Sequence, residues 1–231
     1  MNEITPAIFC KNEEYWIHYV LCDLLKVFPE VILLDTGSTD KTISIAKETE
    51  QKIGQGKLTL VENRYRNNRH LIGNSPNILR QMTMTYWMLL VAGDEIWKRE
   101  ELEKLISSEL EVGMEVGMML ARNVIFQDGG FKERDSFNAD RLFGPTVRWT
   151  KINHPYESHH LQRRIERRVV QYLPIHYWHV RHLDRSSHDS RVFYRSKKKG
   201  FYPYKGDLRE IPASWLNLSD YPNPYLSEEY A

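Results

Sequence analysis

One stretch constrains this chain more than any other: an apolar run that ends on a carboxylate and breaks at once into small turn residues. It reads Val31-Ile32-Leu33-Leu34-Asp35-Thr36-Gly37-Ser38-Thr39-Asp40-Lys41-Thr42. A helical pattern begins at Lys41 and carries Ile43, Ile45 and Ala46, so the run is a strand, a tight turn and a helix. A polar group at the C-terminal end of a buried strand points into the crevice where open α/β sheets bind ligands. Asp35 is therefore a ligand-facing residue on position alone. Ser38 or Thr39 is expected to cap the following helix.

The same punctuation recurs along the first hundred residues. Pro6 to Cys10 is a short apolar run broken by Lys11-Asn12-Glu13-Glu14. Trp16, Ile17, Val20, Leu21, Leu24 and Leu25 follow at helical spacing and stop at Pro29. Lys57 to Val61 alternates as a third strand, and Trp87 to Val91 is a buried strand that ends on Ala92-Gly93-Asp94-Glu95. Asn63 to Pro76 reads as a loop, Asn77 to Thr85 as a short helix, residues 99–110 as a helix and Val116 to Phe126 as a long strand. Strand alternating with helix implies a mostly parallel, doubly wound sheet with helices on both faces. Beyond Phe131 the pattern turns to strand and loop.

Three polar clusters thus follow strand ends: Asn12-Glu13, Asp35 and Asp94-Glu95. In a parallel sheet they converge on one edge. Acids gathered in one place repel unless a cation joins them, and Mg²⁺ or Mn²⁺ takes oxygen ligands and bridges substrate phosphates. The expectation is a metal–diphosphate site. Glu100, Glu101 and Glu103 read instead as helix-dipole partners.

The runs FCKNEE, LLDTGSTDKT, LLVAGDEIW and RLFGPTVRWTKINHPYE, in that order, resemble the family 2 glycosyltransferases over roughly residues 6–180. The resemblance implies the GT-A nucleotide-sugar fold and a metal-dependent inverting transfer of a hexose from a UDP-sugar to an acceptor hydroxyl. It implies that Cys10, Asn12, Glu13 and Asp35 hold the nucleotide, together with Asn77, Gly93 and Asp94. Asp94 matches the last acid of the family's Asp-x-Asp motif and would bind the cation. The first acid of that motif is Ala92 here, a departure that favours, as an alternative, a nucleotide-sugar-binding module without turnover. A late His commonly completes the metal site in this fold; His176 and His179 are the candidates, with His176 preferred because it follows directly on a strand-like run. Imidazole suits Mn²⁺ better than Mg²⁺. The His154-Pro155-Tyr156-Glu157 element resembles the family's acceptor-side motif, which makes Glu157 the first choice for general base and Asp140 the second. Asp128-Gly129-Gly130 reads either as a loop that lets the donor sugar approach or as a plain hairpin turn. A sugar-phosphate nucleotidyltransferase shares the sheet topology, but Lys11-Asn12-Glu13-Glu14 stands where that class places a Gly-rich basic loop.

Net charge is only +1, yet twelve Lys or Arg lie from Arg163 to Lys205 against Glu166, Asp184 and Asp189. That surface suits an anion such as a diphosphate or an acidic acceptor, and no nucleic-acid partner is expected. The expected division is a catalytic domain over residues 1–183 and a basic, aromatic extension over 184–231, packed on it or acting as a lid. The acceptor (glycan, protein or small molecule) is not legible, and peripheral membrane contact through the aromatic tail stays open. Cys10 and Cys22 make neither a disulfide framework nor a metal pattern. With no apolar stretch long enough to span a bilayer, the chain is expected to be cytoplasmic.

Overall fold

The structure is a computed structural model that describes residues 3–62, 69–127, 130–149, 169–182 and 209–211. Strand β1 (Ile4–Cys10) leads into helix α1 (Ile17–Val27), then β2 (Val31–Asp35), α2 (Thr42–Thr49) and β3 (Leu58–Glu62). Helix α3 (Arg69–Met82) precedes β4 (Trp87–Ala92), the two-residue β5 (Glu95–Ile96) and α4 (Arg99–Ser107). Three long strands follow, β6 (Met114–Gln127), β7 (Gly130–Phe143) and β8 (Val169–His182), and then the short β9 (Arg209–Ile211). All belong to one sheet in the order β3-β2-β1-β4-β7-β6-β8-β5, with β9 added on β7. The β3-β2-β1-β4 half is parallel. β7 enters antiparallel against β4 and pairs with β6 down to Gln127↔Gly130. Arg209–Ile211, from the segment expected as an extension, adds a strand to this same sheet.

Strand alternation sorts the side chains into two cores. Ile4, Ile8, Val31, Leu33, Leu89 and Val91 pack beneath α1, α2 and α4 with Leu21, Leu25, Ile45 and Leu102. Ala7, Phe9, Ile32, Leu34, Leu90 and Ala92 face the other way, against Leu79 of α3 and Trp149. The helices thus cover both faces, as continuous apolar strands require. Phe28, caught before Pro29, is extended (φ −101°, ψ 147°) and ends α1. Among the described residues, no helix is long and apolar enough to cross a membrane.

Two local expectations are corrected. The segment Arg69–Pro76 is helical, not a loop, and α3 runs to Met82 with Pro76 inside it. Gly73, Asn74, Ser75 and Pro76 are weak helix formers, but burial of Leu79 against the sheet outweighs propensity. Neither Ser38 nor Thr39 caps α2. Lys41 occupies the cap position with no side-chain capping bond, and Asp40 just before it accepts from Thr42 N through Oδ1 at 3.0 Å. Ser38 Oγ instead donates to Asp35 and accepts from Asn12 N.

Candidate active site at the carboxyl edge of the sheet

The ends of β1, β2 and β4 stand side by side because their registers pair Cys10 with Asp35 and Phe9 with Ala92. The loops leaving β1 and β2 are laced together. Asn12 N donates to Ser38 Oγ (2.9 Å), Glu13 N to Thr42 Oγ1 (2.7 Å), and Glu14 N to Asp40 Oδ2 (3.3 Å). In return Thr39 N donates to Asn12 Oδ1 at 2.8 Å and Lys41 N to Glu14 Oε2 at 3.2 Å. Asn12 adopts φ +56°, a left-handed conformation that Asn tolerates better than most residues.

Asp35 is buried, and its carboxylate accepts the Gly37 and Ser38 N–H groups at 3.0 Å and the Ser38 hydroxyl. The Cys10 thiol lies 4.0 Å from Asp35 Oδ1. The carboxylate is thus fixed in its own turn, at the level where a ligand crossing the strand ends would sit.

Gly93 lets β4 close onto this unit. A Cβ there would fall 2.6 Å from Cys10 Cβ and 2.8 Å from Glu13 Cγ. Gly93→Ala must push β1 and β4 apart, with an expected loss of about 1–3 kcal/mol and weaker nucleotide binding. Thermal unfolding and UDP titration check this, and unchanged values in both would show that the strand ends do not need this contact.

Beyond Gly93 the two acids separate. Glu95, expected beside Asp94 at the cation, accepts instead from Arg141 Nη2 at 2.6 Å, from Arg141 Nε at 3.2 Å and from Ala92 N at 3.1 Å. A register shift that skips Arg141 between the pairs Met118↔Asp140 and Gly117↔Leu142 turns that side chain toward Glu95. Burial opposes the Arg141 charge, but Glu95 outweighs it and holds the guanidinium above its ordinary range. Arg141 also lies over the Tyr177 ring, which stacks on Trp97 at 4.5 Å.

Asp94 meets an imidazole, and it is that of His179: Nε2 lies 3.3 Å from Asp94 Oδ2. The pairing Glu95↔His179 and the Val180 N to Asp94 O hydrogen bond of 2.9 Å bring them together. His176 is three residues away and so on the other face of the strand. Its Nδ1 sits 3.3 Å from Glu101 Oε2. Burial, then Arg122, Lys104 and Lys98, lower its affinity for a proton against the pull of Glu101. Of the two candidate imidazoles, His179 stands beside Asp94, whereas His176 stands beside Glu101. Glu101, read as a dipole partner, also buries its carboxylate. Burial raises its pKa, but Lys104 and the His176 N–H bring it below the usual range.

Ala92 faces the apolar cluster of Phe9, Leu34, Leu79, Val147 and Trp149. Asn77 lies within α3, and its amide clamps the Trp149 main chain, accepting from N at 2.9 Å and donating to O at 2.7 Å. Asp140 is half-buried on β7. Glu157, the neighbouring His154-Pro155-Tyr156 and Asp128-Gly129 lie outside the described residues, as does the tail apart from Arg209–Ile211.

A parallel sheet of order 3-2-1-4, loops at its carboxyl edge and an acid just past the fourth strand make up the GT-A fold. The chain belongs to glycosyl transferase family 2, which matches residues 7–201. Among solved structures it is similar to S. aureus TarS (23% identity over 53% of this chain and 22% of that one, TM-score 0.44). It is also similar to the mannosyltransferase PcManGT from Pyrobaculum calidifontis, solved with GDP-Man and Mn²⁺ (21%, 49% and 34%, TM-score 0.42). A third likeness is to M. tuberculosis glucosyl-3-phosphoglycerate synthase (18%, 53% and 45%, TM-score 0.37). The chain thus spans less than half the length of each of these proteins. No curated protein matches it.

Proposed function

We propose that this chain is a metal-dependent inverting glycosyltransferase that moves a hexose from a UDP-sugar to an acceptor hydroxyl. The observation that carries the reading is the Asp94–His179 pair, 3.3 Å apart at the edge that also holds Asp35. A carboxylate and an imidazole fit Mn²⁺ better than Mg²⁺. Among the described residues no group of three His, Cys, Asp or Glu could hold a metal. Asp94 and His179 would be the side chains that hold the cation, and one or two protein ligands suffice for an ion that also binds substrate phosphates. When bound, the cation supplies charge stabilisation for the departing diphosphate.

The chain's own residues do the rest. The Asn12–Glu13 and Asp35–Ser38 loops form one rigid wall for the nucleoside, with Gly93 as its floor. Asp94 and His179 hold the cation, His179 replacing His176 in that role. Asn77 acts from behind, by fixing Trp149 at the start of the segment that leads to Glu157. Glu157 takes the proton of the acceptor hydroxyl as that oxygen attacks, and Asp140 is the second choice. Glu157→Gln is expected to lower kcat about 10²–10⁴-fold and to leave donor binding intact, as steady-state kinetics beside UDP titration would read. Equal losses in both would reject Glu157 as base.

The direct experiment is UDP or GDP release from a panel of nucleotide-sugars, including UDP-GlcNAc and GDP-mannose, with and without Mn²⁺. Metal-dependent release from a UDP-sugar supports the reading. The buried Ala92 favours a second one, a module that binds nucleotide-sugar without turnover; UDP binding with no release from any donor would select it.

A further inference from the structure

Asn123 stands on β6 directly opposite His179 on β8. It is buried, and its Oδ1 lies 3.1 Å from His179 Nδ1. In this amide orientation the oxygen accepts, so the contact calls for a hydrogen on Nδ1. In the neutral ring Nε2 is then bare, and it faces Asp94 Oδ2 at 3.3 Å. The ring then turns its lone pair toward the Asp94 carboxylate. The opposite amide orientation would put the hydrogen on Nε2 and let His179 donate to Asp94, which closes the pair to a metal ion.

We infer that Asn123 is a positioning residue: its amide oxygen fixes His179 as the Nδ1–H tautomer and so presents Nε2, on the Asp94 side, as a ligand for a divalent cation. This rests on the proposed role of Asp94 and His179 in holding the cation. Orientation of a ligating imidazole through its other nitrogen is a general device for raising metal affinity. Here the orienting group is neutral, so it sets the tautomer without adding charge to the site. Register places it as well, since the β6–β8 pairing that aligns Asn123 with His179 also aligns Arg122 with Trp178, and Arg122 lies 5.0 Å from the Trp178 ring on the opposite face.

The test uses the full-length, metal-free protein with ¹⁵N-labelled histidine, at about pH 8, where an ordinary imidazole is neutral. Long-range ¹H–¹⁵N correlation reads the tautomer, with the His179 signals assigned by their loss in His179→Gln. The wild type is expected to show protonated Nδ1 and bare Nε2, and added Mn²⁺ should broaden those signals. Asn123→Leu should shift the ring toward the Nε2–H form and weaken Mn²⁺ binding about 10–100-fold, with UDP binding in the absence of metal unchanged. Asn123→Asp, which can only accept, should restore both tautomer and affinity. An Nε2–H tautomer in the wild type with Mn²⁺ broadening intact overturns the role of Asn123 alone. Absence of broadening at His179 overturns the cation reading and this inference with it.

Discussion

Arg141→Met is expected to cost about 3–5 kcal/mol of stability, the scale for breaking a buried ion pair. The guanidinium is buried and grips a fully buried carboxylate, with side-chain exposures of 11% and 1%. Removing it leaves the Glu95 charge in the interior, with the Ala92 N–H as its remaining donor among the described residues. The chain then has to bury an uncompensated carboxylate or protonate it, and either way the native state loses. A midpoint drop of roughly 6–20 °C follows for a domain of this size. Arg141→Lys should recover only part of the loss, because an ammonium cannot reproduce the two-pronged grip of Nε and Nη2. The double variant Glu95→Gln/Arg141→Met should recover most of it. It removes the stranded charge while the Gln oxygen still accepts from Ala92 N. A double-mutant cycle by urea unfolding measures the coupling. If Arg141→Met alone costs less than about 1 kcal/mol, the range of an exposed ion pair, Glu95 and Arg141 are not the interior clasp described above.

That clasp also shows what the sequence could and could not disclose. β1, β2 and β4 are continuous apolar runs, and their ends are marked by polar residues, so the sheet, its edge and the place of Asp35 and Asp94 were all legible. The division of labour between Asp94 and Glu95 was not. It depends on which way Arg141, 46 residues from Glu95, turns, and a register shift between β6 and β7 decides that. Which of His176 and His179 stands beside Asp94 was hidden for a related reason. A three-residue spacing says that the two rings take opposite faces, but only the pairing Glu95↔His179 says which face meets Asp94. The start of α3 was hidden because Gly73 to Pro76 reads locally as a breaker, while the apolar contact that holds the helix lies further along, at Leu79. Ala92 stood out as a missing acid, but its apolar surroundings of Phe9, Leu34 and Trp149 come from three separate parts of the chain. Asn123 gave no signal at all, since a lone Asn within an apolar strand has no spacing to declare it.

The largest functional effect is expected at Asp94. Asp94→Asn preserves shape, and the main-chain bond from Val180 N to residue 94 O remains at its 2.9 Å distance. What changes is the chemistry facing His179. The new amide can present N–H to Nε2 across the 3.3 Å gap, which satisfies the imidazole without a cation. Should the oxygen face the ring instead, a neutral carbonyl is a poorer ligand than a carboxylate for a hard divalent ion. Both orientations disfavour metal, so the variant should stay folded while losing Mn²⁺ affinity. With the cation absent, the departing diphosphate loses its chief charge partner, and kcat/KM should fall on the order of 10³-fold, about 4 kcal/mol. The Asp35 turn and the laced Asn12–Glu13 loop are untouched, so UDP binding without metal should match the wild type, and the metal-free unfolding midpoint should move little. This separation matters: a fold defect would lower nucleotide binding and midpoint together, whereas loss of a metal ligand lowers only the metal-dependent terms. Retention of wild-type turnover and Mn²⁺ affinity by Asp94→Asn would remove Asp94 from the cation site, and the geometry of the edge would then have to serve nucleotide binding alone.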